Sequence, residues 1–125
     1  MRVMGEFQPG AVRLHILHHA SEQEIHGAWI TKELARHGHD ISPGTLYPTL
    51  HRLEADGLLS SKRRVVDGRA RRVYRVTQAG KRALRQDRKA LAELAREVLG
   101  DRLLPDVRPA SQRSSVRGSA RRGAR

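Results

Sequence analysis

Residues 42–59 read SPGTLYPTLHRLEADGLL, and this stretch decides the fold. Leu46, Leu50 and Leu53 recur at i, i+4 and i+7, which places three leucines in one stripe along one face of a helix. Ser42 suits the N-cap, because its hydroxyl can accept from the free amides of the first turn. Pro43 fits the first helical position, where its missing donor costs nothing. Gly57 closes the helix. Pro48 stands inside the pattern, where it removes the bond to the Gly44 carbonyl and disfavours helical geometry at Tyr47. An irregular first turn or a kink is therefore expected there. With the leucines turned to a core, the opposite face presents Gly44, Pro48, His51 and Arg52, flanked by Thr45 and Tyr47.

Working outward, residues 10–19 follow Pro9 and carry Leu14, Leu17 and Ala20, or Val12 and Ile16, at helical spacing. Residues 21–26 are polar and read as a loop. Residues 27–37 read as a second helix with Ile30, Leu34 and Trp29 inward, ended by Gly38. A short connection, 39–41, joins it to the Leu46 helix, and the pair suggests a helix-turn-helix. After Gly57 the period changes. Segments 58–66 and 70–76 flank Asp67-Gly68, a dipeptide suited to the positive φ angles of a tight hairpin turn. Thr77 can cap a last helix that continues to Leu99, before Gly100. There Leu84, Leu91 and Val98 are spaced by seven with Leu94 and Ala95 between them, a seam for a partner helix interrupted by Asp87 and Arg88. The body is small for a self-contained core, so that stripe is expected to be buried against a second copy.

The fold class expected is mainly α with a small β-hairpin: a winged helix-turn-helix plus a C-terminal dimerisation helix. Residues 1–8 read as a flexible N-terminus, 9–77 as the DNA-binding domain, 78–100 as the dimerisation helix and 101–125 as a disordered basic tail. The tail contains little to bury.

Charge points to the partner. The 125 residues carry a net charge of +12, unevenly spread. Between Lys62 and Arg75 seven basic residues stand against Asp67 alone, and from Asp101 to Arg125 seven arginines stand against two aspartates. One hairpin and one arm therefore hold nearly all the excess, the footprint of a surface that meets a polyanion. Aromatic residues make up 3% of the chain, too few for a platform that stacks single-stranded bases. There is no cysteine, which excludes disulfides, thiolate catalysis and Cys-based zinc sites and suits a reducing cytoplasm. No apolar run approaches the ~20 residues that span a bilayer, and no secretory pattern follows Arg2. A cytoplasmic protein with no membrane association is expected.

On the Leu46 helix, Ser42, Thr45 and Tyr47 carry hydroxyls that can donate to phosphates, which position a protein without reading sequence. His51 and Arg52 are long enough for base edges, and Gly44 permits close approach of the backbone to sugar-phosphate. In the hairpin, Lys62, Arg63, Arg64, Arg69, Arg71 and Arg72 can contact phosphate or the minor groove, although strand alternation sends only half to one side. If a dimer neutralises ~6–10 phosphates, its affinity falls ~10³–10⁵-fold between 50 and 200 mM salt. Leu84, Leu91, Leu94, Ala95 and Val98 are the expected dimer-interface residues.

The string from Ser42 to Leu59 resembles the signature of PadR-type repressors, in which a Gly-Thr-Leu-Tyr-Pro helix start runs on into Leu-His-Arg-Leu-Glu and a Gly-Leu turn. Gly27, Trp29 and Ile30 resemble that family's Gly-Tyr-x-Ile helix start. Arg72-Val73-Tyr74-Arg75-Val76-Thr77 with Ala79-Gly80 resembles its last strand and the entry to its dimer helix. The resemblance covers residues 9–99. It implies a homodimeric winged-helix repressor on an inverted-repeat operator, with the C-terminal helix packed against the partner's N- and C-terminal helices. It also implies that Ser42, Thr45, Tyr47 and Pro48 belong to the DNA-contacting helix. The single C-terminal helix matches the family's shorter subgroup. Some relatives hold flat drugs between aromatics at the dimer interface; residues 84–99 contain no aromatic, and Trp29 reads as core. A small-molecule effector remains open, and no cofactor is implied.

Two alternatives use other features. His15, His18, His19, His37 and His39 invite a metal-responsive repressor, but no Asp or Glu lies within the His15–His19 cluster to complete a tetrahedral set, so no metal ligands are assigned. A non-specific basic nucleic-acid binder would use the arginine tail as its main contact. An enzyme is not expected. The chain has no Gly-rich phosphate loop, nucleophile elbow or HExxH pattern, and Glu93 and Glu97 beside Arg96 read as a solvated helix face.

Overall fold

In the computed structural model, residues 7–100 are described, and the chain divides into two units at Ala90/Leu91. The expected tail 101–125 and all of 1–8 except Phe7 and Gln8 lie outside the described residues. The elements in chain order are α1 (Gln8–Glu22), β1 (Ile25–His26), α2 (Gly27–Arg36), α3 (Pro43–Ala55), β2 (Leu59–Val66), β3 (Arg69–Val76) and α4 (Gln78–Leu99). The mainly helical class, the helix-turn-helix order and the hairpin all agree with the sequence. No described helix is long and apolar enough to cross a membrane.

The core of the first unit is built from the expected stripes. Leu46, Leu50 and Leu53 of α3 are buried with Ile30 and Leu34 of α2, Val12, Ile16, Leu17 and Ala20 of α1, and Ile41 from the connection. Each fully buried aliphatic side chain contributes about 1.5–3 kcal/mol relative to exposure. Among the described residues, no polar or charged one is buried with them. Trp29 is half-buried against this cluster.

Besides shifts of one or two residues at element ends, two differences from the sequence reading bear on the site. Helix α1 continues three residues beyond His19, to Glu22, because Ala20 still faces the core and the Ser21 hydroxyl bonds the His18 carbonyl (2.6 Å) instead of ending the helix. The polar stretch read as a loop then contains a strand, β1, two residues long. It pairs antiparallel with β3 (Ile25 opposite Tyr74, His26 opposite Val73), giving a three-stranded sheet of order β1-β3-β2. So short a strand leaves no alternation to read, and its partner lies almost 50 residues away. The hairpin turn adopts the expected geometry, with φ of 53° at Asp67 and 77° at Gly68.

Leu84, one of the expected interface residues, is buried in the chain's own core. Leu91, Leu94 and Val98, in the second unit, are exposed, and Ala95 is half-buried.

The junction of hairpin and α4 is tight. The Thr77 hydroxyl donates to the Gly57 carbonyl (2.5 Å) and accepts from the Gly80 amide (3.0 Å), so it caps α4 as expected while tying it to the end of α3. The Thr77 amide donates to the Leu58 carbonyl (3.1 Å). Gly80 is buried against that same carbonyl and the Val76 side chain, leaving no room for a Cβ. Gly80→Ala is expected to destabilise the protein by about 1–3 kcal/mol, the ordinary cost of overpacking. Thermal unfolding should show a drop of roughly 5–15 °C; an unchanged melting temperature would mean the junction has slack.

Candidate nucleic-acid interface

The outer face of α3 is open from its first turn. Ser42, Gly44, Thr45, Tyr47, Pro48, His51 and Arg52 are all exposed, while the leucine stripe is fully buried beneath them. These seven expected residues are brought together on one surface. The first turn differs from the expected cap. Ser42 occupies the N-cap position, but its side chain makes no bond to a backbone amide. Its hydroxyl turns instead to Thr45 Oγ1 (3.4 Å). Pro43 supplies the fixed φ of the first position, so the helix starts without the serine cap bond. The helix runs through Pro48. Pro48 offers no amide to the Gly44 carbonyl, and the Thr49 hydroxyl bonds the next carbonyl along, that of Thr45 (2.8 Å).

Tyr47 has a seat that the sequence did not reveal. A Cβ on Gly27 would come within 2.5–2.7 Å of the Tyr47 ring and hydroxyl. The first residue of α2 must therefore be glycine for the ring to rest there. Gly27 is held in turn by the cap of its own helix, where His26 Nδ1 accepts from the Trp29 amide (3.3 Å). Burial, with Arg71 nearby and Asp67 opposing, holds the His26 ring below the ordinary imidazole value and so in the neutral form that can accept.

The hairpin divides its cations by face. Residues directly opposite in an antiparallel pair project to the same side. Arg63 lies opposite Arg72 on the face that also carries the buried Leu59 and Tyr74. Lys62 and Arg64, with Arg69, Arg71 and Arg75 across from them on β3, lie on the other face. Arg72 is tied to α3 through a relay: its Nη1 donates to Ser61 Oγ (3.0 Å), which donates to Glu54 Oε2 on α3 (2.7 Å). On the second face, Glu24 gathers Arg64 (2.8 Å), Lys62 (3.4 Å) and Arg75 (3.8 Å). The hydrogen bond from Arg64 holds its carboxyl below the usual carboxylate range. Among the described residues, Arg63, Arg69 and Arg71 carry no ion pair, and Arg71 Nε is buried without a hydrogen-bond partner. Six cations of one rank in sequence thus become three free ones, one relayed to α3, and two shared with a carboxylate. In the sequence Glu24, Ser61 and Glu54 are ordinary polar residues, and only β1 and the strand register bring them to these contacts.

Comparisons with known proteins agree with this geometry. The model of the transcriptional regulator PadR-like family matches residues 16–86. The chain is 75% identical over 97 residues to the transcriptional regulator Rv3488 of Mycobacterium tuberculosis, covering 78% of this chain and 91% of that protein. It superposes on the crystal structure of a PadR family transcriptional regulator from Eggerthella lenta with a TM-score of 0.67 at 33% identity, over 74% of this chain and 82% of that one. A PadR-like transcriptional regulator from Bacillus cereus shares the fold at 22% identity (TM-score 0.66, over 78% and 93%).

The His26 cap makes stability depend on pH with a definite sign. The folded-state value is lowered, so the folded protein binds fewer protons than the unfolded chain below pH 6.5. Stability is therefore full above about 6.5 and falls as the pH drops through the window beneath it. His26→Asn keeps a side-chain cap that does not titrate. Urea midpoints measured from pH 7.5 to 5 should fall less steeply in His26→Asn than in the parent; parallel slopes would remove His26 from the acid response.

Proposed function

The chain belongs to the transcriptional regulator PadR-like family, and from that premise we propose that it is a repressor that binds an inverted-repeat operator as a homodimer. Membership makes it a DNA-binding regulator of transcription and not an enzyme. The finer reading is carried by one observation: the exposed outer face of α3 stands beside a hairpin whose Arg63, Arg69 and Arg71 have no carboxylate partner among the described residues. Residues 9–77 then form the DNA-binding domain. The N-terminal half of α3 enters the major groove, with Ser42, Thr45 and Tyr47 on phosphates and His51 and Arg52 toward base edges. Gly44 and Pro48 shape the approach. The wing arginines track phosphate, and a phosphate oxygen would supply the acceptor that Arg71 Nε lacks. Lys62 and Arg64 add less, because Glu24 already neutralises part of their charge.

Residues 78–100 serve as the dimerisation helix. Exposed Leu91, Leu94 and Val98, with Ala95 between them, form an apolar stripe on a helix otherwise dense in charge, which supports a second copy as their cover. Leu84 takes no part. The protein works in the cytoplasm, and a small-molecule effector releases it from DNA.

Two measurements test this. A salt-titrated binding assay on the protein's own upstream intergenic DNA, against a scrambled duplex, should show a preference of ~10³ or more. In the same assay, Arg63→Ala with Arg71→Ala should weaken binding to both duplexes and flatten the salt slope by roughly 3–4 for a dimer. Equal binding of both duplexes would replace the operator reading with a general nucleic-acid binder. Leu91→Asp should run as a monomer in sedimentation and lose the operator. A dimer that survives it would place the seam elsewhere.

A further inference from the structure

Five histidines gather beside the DNA-binding surface but outside it. His15 stacks on His37 and meets His39 at an angle (centroids 5.1 Å in both cases), and lies 6.1 Å from His19. His19 meets His18 (4.9 Å) and Trp29 (5.3 Å) edge-on. The sequence supplied no acidic residue for this cluster because α1 was expected to end at His19. The longer helix changes that. Taking 100° per residue, Glu22 projects between His18 and His19, at i+4 from one and i+3 from the other. Its Oε1 lies 3.6 Å from His18 Nε2 and 3.9 Å from His19 Nδ1. One ligand atom from each of the three residues lies within 4.8 Å of the other two.

The protons show what belongs between them. His19 Nε2 faces Glu33 Oε2 (3.6 Å), so the neutral ring carries its proton there and turns the Nδ1 lone pair toward Glu22. His19 Nδ1 and the Glu22 carboxylate are then two acceptors aimed at one space, which His18 Nε2 also faces. A carboxylate behind a histidine is the usual support of a metal-bound imidazole, fixing its tautomer and raising its basicity. Glu33 is in that position, held by Arg36 (3.1 Å) and His37 (3.2 Å).

We propose that His18, His19 and Glu22 bind one divalent transition-metal ion of the zinc class, with Glu33 as the support of His19. Two nitrogens and one oxygen suit zinc and its borderline neighbours, with water completing the tetrahedron. Ligand atoms about 2.1 Å from a tetrahedral ion lie ~3.4 Å apart, so closure needs only small side-chain rotations. One competitor exists. Arg88 Nη2 stands 2.8 Å from His18 Nδ1. A guanidinium only donates, so Nδ1 accepts and the ring proton sits on Nε2. A metal on Nε2 moves that proton to Nδ1, with no net proton released, and Nδ1 can then no longer accept from Arg88. Occupancy of the site and the α1–α4 contact through Arg88 exclude each other.

The experiment is calorimetric titration of the full chain with Zn²⁺ at pH 7, and it does not depend on DNA binding. One equivalent per protomer is expected. Glu22→Gln, an isosteric change at an exposed position, should lower the affinity tenfold or more while the metal-free melting temperature stays put. His18→Ala should do the same. Arg88→Ala removes the competitor and should tighten binding roughly two- to tenfold. Absence of a saturable site, or parental affinity in both Glu22→Gln and His18→Ala, would overturn the assignment. So would a loss seen only on His37→Ala, which would place the ion among His15, His37 and His39.

Discussion

The carbonyl of Leu58 is the point on which the geometry turns. It stands where α3 has ended and β2 has not begun, and it accepts the amide of Thr77, where β3 has ended and α4 has not begun. The Thr77 hydroxyl closes the same corner from the other side by bonding Gly57 and the Gly80 amide. Three elements share this corner: the end of α3, the base of the cationic hairpin, and the start of α4. Its parts are individually worth little, about 0.5–1.5 kcal/mol per hydrogen bond. Their value is positional, since the register of β2 on β3 begins there and decides which arginine looks which way.

That register explains why charge counting overstates the hairpin. A sequence gives seven cations between Lys62 and Arg75, and a polyanion responds to the ones free to approach it. Glu24 is placed by β1, a strand two residues long, and it holds three of the seven within 4 Å. The carboxylate relieves repulsion among like charges that a bare hairpin would have to tolerate. Among the described residues, the hairpin cations left without a carboxylate partner are Arg63, Arg69, Arg71 and Arg72. Through Ser61 and Glu54, Arg72 is held to α3, which ties the hairpin to that helix.

What could be read in the sequence follows from how local the cause is. The α3 leucines, the Asp67-Gly68 turn and the Thr77 cap are fixed by neighbours within one or two turns, and each occurs where the spacing puts it. Strand β1 depends on Tyr74 and Val73 across the sheet, so its two residues look like loop. The end of α1 depends on Ala20 finding the core, and missing it removed Glu22 from the histidine face. The Tyr47 seat needed the three-dimensional meeting of α2 and α3. Ser42 was read from a strong preference that this helix does not use, because Pro43 and the Thr45 hydroxyl offer its side chain another arrangement.

The interrupted seam of α4 has the same kind of explanation. Leu84, Asp87, Arg88 and Leu91 recur at i, i+3, i+4 and i+7, so they share one face despite the change from apolar to charged and back. Over the part of the helix before Leu91 that face packs within the chain. Leu84 enters the core, Asp87 takes the Arg13 guanidinium (3.1 Å), and Arg88 reaches His18. The two charged residues that break the heptad pattern are thus the ones α1 requires. Both contacts are partly exposed, and such pairs contribute at most about 1 kcal/mol. An apolar stripe continued through positions 87 and 88 would have bound α1 harder. The polar pair instead leaves this contact weak enough for a ligand on His18 to compete with it, and specific enough to set which face of the helix turns inward.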